Sequence, residues 1–257
     1  MSASDAGPRR SYERHIAPFA RPFAESTGRR AGDALRRGGH ILDHGAGTGL
    51  VTSLLLRRQP DLSVVALDPN AELLCALADE QRCVRLVGTA ADLGNDRPLF
   101  DAVVSNLVLP FCSDAAGDLA RVRRLTVACG TLVATTLGAV ADVTPFHRFW
   151  SATKSVIPQA WEPTRYPHHR FGEVDSFVDE ITSGGWKVRS VHRVRAVRRI
   201  SAAHAWTWLS SVLPVGEGDA YRAMLDDERA AVQAEFLRRW SAESRWVSAG
   251  WTVVAAS

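Results

Sequence analysis

Five short runs constrain this chain more than anything else in it. Residues 40–45 (HILDHG), 62–68 (LSVVALD), 83–88 (CVRLVG), 101–106 (DAVVSN) and 130–137 (GTLVATTL) are apolar nearly throughout. A strand with one wet face alternates apolar and polar residues; a strand covered on both faces does not. Stretches of helical character lie between them: Leu50 to Arg58, Asn70 to Glu80 behind Pro69, and Asp114 to Ala128. Buried strands alternating with helices indicate a doubly wound α/β sheet, mostly parallel, with helices on both faces.

Ahead of the first strand, Ser11 to Leu35 has apolar positions at helical spacing, with Pro18 and Pro22 among them. This predicts a short broken helix followed by a second one, ending at Gly38-Gly39. Beyond Gly138 the pattern loosens. Helices are expected over 144–157, 173–182, 202–212 and 221–240. Residues 158–170 read as a loop, 186–200 as a long strand and 244–257 as a final strand. All eight Trp residues fall beyond residue 149, and large side chains packing helices together account for that most simply.

Several function classes are disfavoured. With a net charge of +3 on 257 residues the chain is no polyelectrolyte, which argues against nucleic acid or a membrane surface as partner. The longest uncharged stretch, Leu125 to Ala141, is too short and polar to span a bilayer. Residues 1–15 contain no apolar run that would serve as a secretory signal. Cys75, Cys83, Cys112 and Cys129 show no metal-ligand spacing; scattered thiols suit a reducing cytoplasm, and no metal site is expected.

The chemistry concentrates where the first strand turns: Asp43-His44-Gly45-Ala46-Gly47-Thr48-Gly49-Leu50. Glycines there allow a sharp turn and close approach of a ligand to the backbone. A dinucleotide fingerprint would need Gly where Leu50 stands, and a phosphate-cradling P-loop would need a Lys after its last Gly. Asp43 would repel phosphate and attract a cationic amine. Asp68, at the end of the second strand, can accept from both hydroxyls of a ribose. An ammonium, a ribose and no phosphates describe S-adenosylmethionine (SAM).

In these residues the sequence resembles the class I SAM-dependent methyltransferases, in particular the type 11 and ubiquinone/menaquinone small-molecule branch. The resemblance implies a single domain over 1–257. Residues 1–38 would form an N-terminal helical lid, 39–138 the SAM-binding core, and 139–257 the acceptor-side segments with the last strands. It implies seven strands in the order 3-2-1-4-5-7-6, the last antiparallel. Asp43, Gly45, Ala46, Gly47, Thr48 and Gly49 would surround the methionine end of SAM. Asp68 would take the ribose, with Pro69 beside it. The loop Gly88-Thr89-Ala90-Ala91-Asp92-Leu93 is similar to a G-D-A-x-D-L loop near the adenine. Thr89 stands where an acid or amide is usual, so the backbone of Ala90 and nearby Asp92 are the other candidates there. The run from Phe100 to Phe111 resembles an F-D-x-V-x-S segment that places Asn106 beside the cofactor.

Methyl transfer is an in-line displacement that depends chiefly on positioning; an acceptor bearing a proton gains from a base. His147, between Phe146 and Phe149-Trp150, is the candidate base. Tyr12, His15, Phe111, Phe146, Trp150 and His169 are the candidate acceptor contacts. The chain lacks an N/D-P-P-Y turn after the fourth strand, which disfavours a nucleobase amine. The expected acceptor is a small hydrophobic or aromatic metabolite, reacting at oxygen, nitrogen or carbon. Two alternatives are a SAM-binding cyclase or lyase that transfers no methyl group, and a non-catalytic SAM-binding protein.

Overall fold

The computed structural model describes residues 17–35, 38–94, 99–139, 143–160, 170–212, 221–240 and 245–257. Tyr12, His15 and His169 lie outside these. Seven strands form one sheet in the order β3-β2-β1-β4-β5-β7-β6, mostly parallel with β7 antiparallel. They are β1 (Gly39–His44), β2 (Leu62–Asp68), β3 (Cys83–Val87), β4 (Phe100–Asn106), β5 (Thr126–Leu137), β6 (Lys187–Arg199) and β7 (Arg245–Ala256). The helices are α1 (Ala17–Ala34), α2 (Leu50–Arg58), α3 (Ala71–Leu74), α4 (Ala115–Arg124), α5 (Thr144–Val156), α6 (Val174–Ser183), α7 (Ala202–Thr207) and α8 (Asp226–Arg239).

The chain divides into two compact units. The first holds residues up to Thr136, 174–194 and 251–257; the second holds 137–173 and 195–250. In the first, β1 pairs in parallel with β2 and with β4, Asp43 lying opposite Ala66 on one side and Val104 on the other. Ile41, Leu42, Val64, Ala66, Val103 and Val104 are buried, as expected for strands covered on both faces.

Helix α1 is continuous through Pro22, not broken there. Proline removes one N–H from the ladder and crowds the preceding turn. Against that, Phe19, Ala20, Phe23, Ala24, Thr27 and Ala31 form one buried stripe facing α2 and β4. At about 1.5–3 kcal/mol for each large apolar side chain buried, the stripe outweighs the interruption. Two other helices are shorter than their sequences predict. The expected helix over 70–80 is the single turn α3 continued by a 3-10 turn, Cys75–Leu77. Helix α4 stops at Arg124, and β5 claims Thr126 to Cys129. A register shift between Phe100 and Ala102 accommodates these residues, with Cys129 at φ 66°.

A row of hydroxyls crosses the interior of this unit. Ser26 Oγ lies 3.0 Å from Thr252 Oγ1, which is 3.1 Å from Thr135 Oγ1, itself 2.7 Å from Thr27 Oγ1. Thr27 Oγ1 donates to Asn106 Oδ1 at 3.3 Å. A hydroxyl has one proton, so donation runs in one direction along the row, from Ser26 on α1 through β7, β5 and α1 again to β4.

The second unit is held by aromatic packing. Phe146 stacks on Trp208 at 5.5 Å, Phe149 meets Trp150 edge-on at 5.2 Å, and Trp206 contacts Phe149, Tyr221 and Phe236. Phe236 lies 5.5 Å from Trp240. Helices α5 and α8 pack together, and Arg148 crosses between them to the Arg239 carbonyl, its guanidinium over the Trp240 ring. On β6, an edge strand of the sheet, Lys187, Arg189, Arg193, Arg195, Arg198 and Arg199 are exposed. Among the described residues no helix is long and apolar enough to cross a membrane.

Candidate functional site

At the carboxyl end of β1 the chain turns through three glycines in left-handed conformations: Gly45 at φ 71°, Gly47 at φ 55° and Gly49 at φ 76°. A side chain at Gly45 would put its Cβ 2.3 Å from Val108 Cγ2, and one at Gly49 would lie 2.4 Å from Leu77 Cδ2. Glycine is therefore required at both for conformation and for space. The amides of Gly45 and Ala46 donate to the Leu67 carbonyl at 2.8 and 3.0 Å, which ties the turn to the tip of β2. Thr48 is half-buried between Gly47 and Gly49, and α2 begins at Leu50.

The two strand-tip carboxylates differ sharply. Asp68 on β2 accepts from the Gly47 amide through Oδ2 and from the Asn70 amide through Oδ1, both at 2.8 Å. Each oxygen keeps a further lone pair, enough to accept from a vicinal diol. Asp43 is only 1% exposed. Its Oδ2 takes both the hydroxyl and the amide of Thr52, at 2.6 and 3.1 Å. Burial pushes its carboxyl up to about 6; the two hydrogen bonds from Thr52 oppose that rise, and the charge of Asp68 adds to it. Asp43 thus ties β1 to α2 and keeps almost no surface for contact with a ligand.

Because alternate residues of a strand face opposite ways, His44 leaves Asp43 and turns to the other side of β1. There it is 5% exposed, with Nδ1 3.3 Å from Ser105 Oγ and Nε2 3.9 Å from Asp118 Oδ2 on α4. Burial holds this imidazole below its ordinary pKa, against the pull of Asp118 and Asp68. His44 and Asp118 line a crevice of about 340 Å³ whose apolar walls include Leu67, Pro69, Val108 and Phe111. It lies beyond the carboxyl ends of β1 and β4, at the switch point of the sheet, where ligands of open α/β sheets bind. The donor atoms of His44, Cys112 and Asp118 fall within 4.8 Å of one another, a set of residue types that can also hold a cation.

The loop after β3 contributes Thr89 to the same crevice. Thr89 caps the 3-10 turn Ala90–Asp92: its amide and hydroxyl both donate to Asp92 Oδ2, at 2.8 and 3.0 Å. These two bonds hold the Asp92 carboxyl below its ordinary range. Ala90 is buried and Asn106 half-buried at the tip of β4. Phe111 is 53% exposed at the crevice.

The remaining candidates belong to the second unit. His147 is exposed on α5, whereas Phe146 and Trp150 are buried in the aromatic cluster. His44 and Asp118 were not singled out from the sequence. The alternation of β1 could have given the face of His44; nothing local could have brought α4 to it.

Residues 42–134 match the family model of the methyltransferase domain. A trans-aconitate 2-methyltransferase of Methylobacterium nodulans is 28% identical over 235 residues, 86% of this chain and 84% of its own. One from an Acidovorax species is 32% identical over 123 residues, covering 47% and 46% of the two chains. Among solved structures, a proposed methyltransferase from Bacillus halodurans C-125 superposes with a TM-score of 0.60 at 15% identity. It covers 90% of this chain and 98% of that one, and the likeness is one of fold.

Proposed function

For a chain that belongs to the class I SAM-dependent methyltransferases, and so is an enzyme that methylates a small molecule with SAM, we propose a small organic acid as acceptor, alkylated at a carboxylate oxygen. The observation that carries the acceptor class is the extent of the first trans-aconitate relative, which aligns with 86% of this chain, well past the SAM-binding core. When bound, SAM supplies an electrophilic methyl group on a sulfonium.

The residues of the first unit fit such a group. Asp68, held by two backbone amides, takes the ribose diol beside Pro69. The turn from Gly45 through Ala46, Gly47 and Thr48 to Gly49 passes along the methionine end, where a side chain at Gly45 would meet Val108. Asp43 contributes its field to an ammonium there, not a contact. Thr89, Ala90 and Asp92 lie at the base end, with the proton of Thr89 committed to Asp92, and Asn106 lies beside the cofactor.

A carboxylate acceptor is already anionic at neutral pH, so the reaction needs alignment and exclusion of water more than it needs a base. This reading gives His147, exposed on its helix, no obligatory proton transfer. A second reading keeps a hydrophobic or aromatic acceptor and is favoured by the half-exposed Phe111 ring at the crevice. Tyr12, His15 and His169 are its further candidate acceptor contacts, whereas Phe146 and Trp150 are buried in the aromatic cluster. The acceptor is in either case a small molecule, not nucleic acid, and four cysteines with no disulfide among them fit a cytoplasmic enzyme.

Purified protein incubated with methyl-labelled SAM and a panel of di- and tricarboxylic acids and phenols tests both readings. Base-labile label recovered in an ester, with S-adenosylhomocysteine as co-product, is the expected result. Label in phenols alone selects the second reading. Methylthioadenosine without a methylated product overturns methyl transfer.

A further inference from the structure

We propose that Asp118, on α4, selects the amino-purine of the cofactor by accepting a hydrogen bond from its exocyclic amine. This rests on the SAM reading above and assigns a residue outside the glycine turn and the strand tips.

Asp68 lies between Leu67 and Pro69, and both of these neighbours line the crevice. A base one glycosidic bond from a ribose on Asp68 enters that crevice, where Leu67 and Pro69 on one side and Val108 on the other offer apolar surface to a flat ring. A ring held this way is oriented by the few polar groups at its edge. Thr89 has given its proton to Asp92 and keeps only uncharged lone pairs for a donor at the ring edge. Asp118 is the one anionic side chain among the described residues lining the crevice. Its carboxylate is 25% exposed, and its nearest recorded partner, His44 Nε2 at 3.9 Å, is beyond hydrogen-bonding distance. An acceptor-only group with open lone pairs, in a largely apolar crevice, calls for a donor.

The carboxylate is also held in place. Asp114 caps α4 by accepting from the Gly117 amide at 2.9 Å. Arg121, one turn beyond Asp118, reaches from α4 to the carbonyls of Ala91 and Leu93. Asp118 and the loop carrying Thr89 therefore form one wall. Behind Asp118, burial disfavours the charged form of the His44 ring, against the pull of Asp118 itself. An exocyclic amine presents two N–H donors to this wall. A base with a carbonyl at the same position sets oxygen against carboxylate, and a site built around a hydrogen bond rejects an analogue that cannot make it.

The test compares S-adenosylhomocysteine with S-inosylhomocysteine, its deaminated counterpart, by calorimetry on the full chain. The wild type is expected to favour the adenosyl compound at least ~30-fold. Asp118→Asn offers an acceptor to the amine and a donor to the carbonyl, and is expected to narrow the preference to about threefold. Asp118→Ala is expected to weaken the adenosyl compound about tenfold and, with the opposing carboxylate gone, to tighten the inosyl one a few-fold. A preference left intact in Asp118→Asn overturns the proposal alone. A wild type that binds neither compound overturns it together with the cofactor reading.

Discussion

Around the strand tips of the first unit, shape is set by the backbone. Three glycines in left-handed conformations, two amides on one carbonyl and a carboxylate fixed by two more amides build the turn with little side-chain mass. In the second unit, seven aromatic rings among the described residues of α5, α7, α8 and the turns beside them meet in pairs within about 6 Å, and backbone geometry contributes little to their arrangement. The first region is built to leave room beside itself and the second to leave none. Losing a group from the first should therefore show as lost affinity, and from the second as lost stability.

Four substitutions press on that contrast. Trp150→Ala, at a fully buried ring, should lower unfolding free energy by about 3–5 kcal/mol in urea titration. Affinity for S-adenosylhomocysteine should stay within about twofold; a parallel fall in affinity would break the division. Asp68→Ala should do the reverse, weakening that ligand by about 1–3 kcal/mol in calorimetry with a small change in Tm. Undiminished affinity would take Asp68 out of the site.

Asp43→Asn sharpens the contrast within the turn itself. The folded carboxyl titrates at about 6, above an ordinary Asp near 3.9. Its protonated form is the one the fold favours. The stability it gives is complete below about pH 4 and is lost as pH rises through about 6. An amide imitates the protonated state at every pH. The variant should therefore match wild type near pH 4 and exceed it by about 1–3 kcal/mol at pH 8, as read from urea titrations at the two pH values. Equal stability at both would mean that the Thr52 hydrogen bonds fully offset the burial. The smallest effect is expected for His147→Ala, with turnover within about twofold of wild type. A fall of a hundredfold or more would make it a base.

The sheet was legible because its parallel strands are mostly apolar on both faces; β3 reads as buried by the same rule, yet at the sheet edge it leaves Val84 and Val87 exposed. β2 coincides with its expected span, and Asp68 was legible with it. The helices were harder to read. Pro22 looks like a break when read locally, and only the stripe from Phe19 to Ala31 against α2 and β4 shows why the helix runs on. Thr126 to Cys129 have the composition of a helix end, yet a shifted register draws them into β5. Asp43 was expected to face an ammonium; Thr52, nine residues on, turns it into an internal tie. Asp118 could not be found at all, because its meaning comes from His44 and Pro69, which lie 74 and 49 residues away along the chain. Phe146, Phe149 and Trp150 stand at i, i+3 and i+4 and form the buried stripe of one helix, and His147 lies at the margin of that stripe, exposed.

The hydroxyl row has a consequence for how the molecule is made. Ser26 and Thr252 are separated by 226 residues, so a chain emerging from the ribosome displays α1 long before the strand that completes its polar face exists. Until Thr252 arrives, the Ser26 hydroxyl has no proton acceptor in this row and Thr135 lacks one of its donors. The relay ending on Asn106 is closed by a segment synthesised long after β4 itself. The tip of β4 thus acquires its final hydrogen-bonding polarity only once Thr252 has been added to the chain, and a nascent chain stalled before it would carry the glycine turn without that polarity beside it.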